Sequence, residues 1–141
     1  MLEEPLEAPA ETSPEELLAR YEAALAGVVE AVGADEVVER TGVDAATVEA
    51  VESGDAADLD LRDAAAILAL REGSADADAI LSEVRDHLLL SMSSAMLDVE
   101  RIAADVEGDL DPKEVQGKVE GRHPMTLAEY ARIHHYVADA A

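Results

Sequence analysis

Lys113 and Lys118 are the only lysines in this chain of 141 residues, and they stand five positions apart with Gln116 between them. Arg122 and His123 follow directly after. This spacing suits contact with a nucleic acid. Lysine and arginine neutralise phosphates, lysine and glutamine can also donate to base edges in the major groove, and a basic residue just past a helix usually touches the backbone. Between Asp111 and Tyr136, four bases (Lys113, Lys118, Arg122, Arg132) balance four acids (Asp111, Glu114, Glu120, Glu129). The whole chain carries a net charge of −23, so this stretch is locally neutral in an acidic protein. A blander role for Lys118 is to offset Glu114 one helical turn away. Gly117 weakens a helix by about 1 kcal/mol relative to alanine, or else allows something to approach the backbone closely.

Other chemistries find less support. His134 and His135 are adjacent, so on a helix they point roughly 100° apart. With His123 they do not form the spacing of a zinc site, and no cysteine is present. Ser91, Ser93 and Ser94 sit in a helical stretch and read as small packing residues rather than nucleophiles. Carboxylates are so frequent that no pair stands out as an acid–base couple, and no glycine-rich phosphate loop occurs. No enzyme activity, metal or cofactor is expected. The longest apolar run, 64–70, is far short of the roughly 20 residues that span a bilayer, and the opening Met-Leu-Glu-Glu-Pro lacks the apolar stretch of a secretory signal. A cytoplasmic protein without membrane contact is expected. Excess acid, scarce lysine and a core of Ala, Val, Leu and Ile suggest a cell interior of very high salt, where a Debye length of roughly 3 Å screens the self-repulsion. The competing reading is an ordinary acidic protein.

The elements that must position these residues are helices. Residues 1–13 read as a disordered acidic tail. Ser13-Pro14-Glu15-Glu16 is a helix start, and Leu17, Leu18, Tyr21, Leu25, Val28, Val29 and Val32 repeat at spacings of three and four up to Gly33. Asp35 opens a short second helix ending near Thr41-Gly42. Asp44 caps a third, stopped at Gly54, and Asp60 caps a fourth that runs from Leu61 to about Arg71. The plan then repeats. Asp76 or Asp78 starts a long helix that covers Ile80 to Leu97, Asp98 opens a short one, Asp111-Pro112 another, and Thr126 the last. Leu17 and Ile80 are 63 apart, as are Leu25 and Leu88 and also Asp35 and Asp98. Val43 and Leu110 are 67 apart, as are Asp44 and Asp111 and also Gly54 and Gly121; Leu61 and Leu127 are 66 apart. A longer turn at Glu107-Gly108-Asp109 fits that drift. The spacing predicts an internal duplication, with one four-helix unit over 14–73 and a second over 74–141. His87 to Met92 is apolar on more than one side, which predicts burial between the two units or a homodimer seam.

The run Glu36 to Gly54 reads as a short helix, a turn with Gly42, a polar cap and a second short helix ending Glu52-Ser53-Gly54, with Leu61 opening the next helix. In the second half Glu120-Gly121-Arg122-His123-Pro124-Met125-Thr126-Leu127 carries a Gly stop, a base, a Pro and a Leu opening a helix. Each half in this respect resembles the Cro-like, phage-repressor class of helix-turn-helix modules, whose second helix enters the major groove. The chain as a whole looks like a small acidic haloarchaeal family of unknown function. The first class implies an all-α fold of two tandem four-helix units and a DNA-binding transcriptional regulator. In the first half Asp44, Glu49 and Glu52 face outward with no donor longer than Thr47, so that unit is not expected to bind DNA. The second unit is, through Lys113, Gln116, Lys118, Arg122 and His123. The alternative is a protein-interaction module that keeps the fold without binding DNA.

Overall fold

The computed structural model describes residues 12–71, 73–106 and 111–140. The expected tail up to residue 11 and the Glu107–Asp109 turn lie outside them. Eight helices follow in order: α1 (Pro14–Val32), α2 (Ala34–Thr41), α3 (Ala45–Glu52), α4 (Leu61–Leu68), α5 (Ala77–Ser94), α6 (Val99–Asp105), α7 (Pro112–Val119) and α8 (Leu127–Ala140). The protein is all-helical, with no strand among the described residues.

Most starts are fixed by side-chain caps. The Ser13 hydroxyl accepts the Glu16 amide at 3.1 Å, with Pro14 in the first turn. Asp60, Asp76, Asp98 and Asp111 accept the amides of Arg62, Ala79, Arg101 and Lys113 at 2.8–2.9 Å. Each such bond satisfies one of the orphaned first-turn N–H groups and is worth about 1 kcal/mol. Asp44 departs from expectation, for its side chain makes no capping bond to α3. Asp35 lies inside the first turn of α2 rather than before it, because the helix already starts after Gly33. Asp98 is a true cap, so it matches Gly33 in role rather than Asp35.

Two helices end earlier than their apolar patterns suggest. α4 stops at Leu68, where Leu70 and Arg71 turn back onto the carbonyls of Ile67 and Leu68 and the Arg71 Nε also donates to Leu68 O at 3.0 Å. α5 stops at Ser94, because Met96 turns left-handed at φ 57°. The Leu97 amide then reaches back to Met92 O at 2.9 Å and the Met96 amide to Ser93 O at 3.1 Å. This is the paired closure that usually employs glycine.

Packing crosses the middle of the chain. α1 lies against α8, and α4 lies against α5. The first helix of each half therefore meets the last helix of the other, rather than the two halves meeting through α5 alone. Between them the chain makes two reciprocal bonds: Leu61 N donates to Met125 O at 2.9 Å, and Leu127 N donates to Leu59 O at 2.8 Å. These flank an isolated antiparallel bridge between Asp60 and Thr126, the residues just before α4 and α8.

The buried residues form one continuous cluster from Leu17 to Val137, including Leu25, Val37, Val48, Ile67, Ile102, Leu127 and Ile133. Burying a side chain of this size stabilises by about 1.5–3 kcal/mol. α5 contributes Ile80, Val84, Leu88 and Met92, one stripe at every fourth position. On its other apolar side Leu89 is 39% and Leu90 69% exposed.

Candidate functional site

The residues singled out by charge lie on and just after α7, which packs against α6. Val115, Gly117 and Val119 face the core, so the helix turns Lys113 and Gln116 to solvent, and both are exposed. The expected partner of Lys118 was Glu114. Instead its ammonium pairs with Glu129 of α8, and both side chains are only 15% exposed. Glu129 in turn accepts the Thr126 amide at 3.0 Å, while the Thr126 hydroxyl accepts the Glu129 amide at 3.2 Å. This reciprocal pair closes the start of α8. Burial works to raise the Glu129 carboxyl, but the bonds from Lys118 and Thr126 outweigh it and hold the group below its usual range. Lys118 thus ties α7 to α8. Arg122 is exposed and donates to Glu120 at 2.9 Å.

His123 is exposed, and its ring lies over Gly117. A β-carbon there would stand 1.9 Å from the ring Cδ2. The midhelix glycine therefore admits an imidazole rather than another backbone. At Gly121, left-handed at φ +81°, the neighbour is Arg85 of α5: a β-carbon would lie 2.3 Å from the guanidinium carbon. Arg85 and Arg62 were not among the expected contacts. They are 36 and 59 positions from Gly121, and only the crossed packing of α4 and α5 brings them here. Arg85, Arg62, Lys118 and His123 line one small cleft of about 20 Å³ between α4, α5 and the end of α7.

The three C-terminal histidines do not converge. His134 is buried, with Nδ1 at 2.7 Å from the Tyr21 hydroxyl of α1. Its ring stacks at a tilt on Tyr130 and meets His87 of α5 edge-on at 6.0 Å. Burial first, and then the neighbouring His87 and His135, push its pKa down to about 4. His135 is hydrogen-bonded through Nε2 to the Thr12 carbonyl, so the last two residues of the expected tail are held in place. No group of three or more potential metal ligands occurs among the described residues, and no helix there is long and apolar enough to cross a membrane. The serines at 91, 93 and 94 lie in the last turn of α5, the latter two exposed.

The fold and this cleft define a small, acidic, all-helical protein in which Arg62, Arg85, Lys118 and His123 come together. The chain belongs to a family of unknown function (DUF5791), whose model matches residues 17–140. No curated protein and no solved structure matches it.

Proposed function

We propose that the protein is a DNA-binding regulator of a salt-rich cytoplasm, built from two tandem helix-turn-helix-type units over 14–73 and 74–141, of which the second makes the contact. The observation that carries this reading is the outward face of α7. It offers Lys113, which has no ion pair among the described residues, and the exposed amide of Gln116, with Arg122 and His123 directly after the helix. The matching face of α3 offers Asp44, Glu49 and Glu52, all exposed, which phosphates repel. Helix starts that recur at offsets of 63, 65, 67 and 66 support the duplication, as do the reciprocal bonds at the Asp60–Thr126 bridge. Lys118, expected as a contact, serves here to position α7 on α8. The proposed role is binding rather than catalysis.

Retention on genomic DNA in about 1 M KCl tests the reading, since each lost phosphate contact lowers the salt slope of binding by about 1. Wild type is expected to be retained longer than a Lys113→Glu, Gln116→Ala double variant that leaves Lys118 intact. Identical elution of the two refutes it. A second reading, an interaction module without DNA binding, is favoured by Leu89, Leu90 and the 92% exposed Met96 at the end of α5. It predicts a homodimer or a complex that Leu90→Glu disrupts, and no retention of the wild type on DNA.

A further inference from the structure

The cleft between α4, α5 and α7 departs from what the rest of the surface does. The chain has 33 carboxylates against 10 lysines and arginines, so a cleft whose wall carries two arginines, a lysine and a histidine against one carboxylate is the exception to be explained. Neither Arg62 nor Arg85 forms an ion pair among the described residues, and both line this cleft beside His123. Among the described residues the one acid on its wall is Asp60, whose carboxylate accepts the Arg62 amide as the cap of α4. The nearby Glu120 and Glu129 are taken by Arg122 and Lys118.

Two glycines make the arrangement sterically feasible. Gly121 lets the Arg85 guanidinium lie where a β-carbon would otherwise stand, and Gly117 does the same for the His123 ring. The first half builds nothing similar. Sixty-three positions before Arg85 stands Glu22, whose carboxylate accepts the Ala56 amide at 2.7 Å and anchors the loop after α3. Gly54 in that loop has open space where Gly121 has a guanidinium. The cleft beside α3 is lined by Asp55 and Asp58 with no base. At this register a carboxylate of the first half, Glu22, is thus replaced in the second by the guanidinium of Arg85.

We propose that the cleft is a binding site for a phosphate-type oxyanion, held by the Arg85 and Arg62 guanidinium groups with His123 at the rim. Planar guanidinium forks match the oxygens of such a group. The space admits one water-sized atom, so a single phosphoryl oxygen enters while the remainder of the ligand stays outside. Both a free phosphate and a phosphodiester of a nucleic-acid backbone present that oxygen. The site does not depend on the DNA reading, which rests on Lys113 and Gln116.

The test is a titration of the full chain with inorganic phosphate at fixed ionic strength set by KCl, followed by proton–nitrogen NMR. Saturable shifts are expected at the Arg85 Nε–H, the Gly121 amide and the His123 ring. Arg85→Gln is expected to weaken binding by about tenfold or more, the loss typical of one charge-assisted contact. Arg62→Gln, at an exposed position, provides a second variant if the first fails to fold. A short DNA duplex added to the phosphate-bound protein then identifies the source. Displacement of phosphate assigns the site to a phosphodiester, and unaltered phosphate binding assigns it to a free anion. Absence of saturable shifts in the wild type, or equal affinity in wild type and a folded variant, overturns the proposal.

Discussion

His134 gives the protein a built-in sensitivity to mild acid. Its ring is 3% exposed, bonded to Tyr21 of α1 and packed against Tyr130 and His87. Its pKa falls from 6.5 to about 4 on folding, first through burial and then through His87 and His135. Because the folded value is the lower one, the unfolded chain takes up a proton in this window and the folded chain does not. Stability is therefore full above pH 6.5 and is lost as pH falls toward 4. Between about pH 7.5 and pH 5 the loss is about 2 kcal/mol, and it approaches about 3 kcal/mol once both states are protonated. For a chain of this size 2 kcal/mol lowers the melting temperature by roughly 6 °C. Urea unfolding at the two pH values measures the difference, and that window lies above the usual carboxylate range. His134→Asn keeps a polar group facing Tyr21 but cannot titrate, so it is expected to be less stable throughout and to lose about 2 kcal/mol less than wild type over this interval. Parallel pH profiles for wild type and variant refute the reasoning.

Four further outcomes follow from particular contacts. Met96→Gly removes the left-handed strain of a side chain at φ 57° and is expected to raise stability by about 1 kcal/mol in thermal unfolding. Gly117→Ala, which ordinarily gains about 1 kcal/mol within a helix, is expected to gain nothing while His123 occupies that space; in a His123→Ala background the gain returns, and a double-mutant cycle measures the coupling. Lys118→Ala leaves the half-buried Glu129 carboxylate unpaired and is expected to cost about 2 kcal/mol in urea unfolding. With 33 acids against 10 bases, the unfolding midpoint is expected to climb between dilute buffer and molar KCl as repulsion is screened, whereas a flat response speaks against a salt-adapted chain.

Helix identity was legible in the sequence because capping and periodicity are local. Ser13, Asp60, Asp98 and Asp111 stand where a turn of amides needs an acceptor, and all four provide one; of Asp76 and Asp78 it is Asp76 that caps α5, and the Asp44 side chain caps nothing. What failed was judged from pattern without partners. Leu89 and Leu90 extend an apolar run, yet α4 and the core take only one side of α5. Arg71 extends a helical pattern, but its own side chain caps Leu68 and closes the helix first. At the candidate site, Lys113 and Gln116 were readable because they are neighbours in sequence. The true partner of Lys118 is eleven residues away on another helix, and nothing local distinguishes Glu129 from Glu114. Arg62 and Arg85 reach the cleft only through the packing of α4 on α5. One faint signal was present: the exchange of Glu22 for Arg85 at equivalent register.

The contact of α1 with α8 has a consequence for synthesis. The helix that leaves the ribosome first has its largest packing partner in the helix that leaves last. Leu17, Tyr21 and Leu25 remain uncovered on that side until Tyr130, His134 and Val137 have emerged, several seconds or more later at about 5–20 residues per second. A nascent chain stalled before residue 127 thus exposes an apolar stripe on α1, and the native core closes only once α8 has emerged.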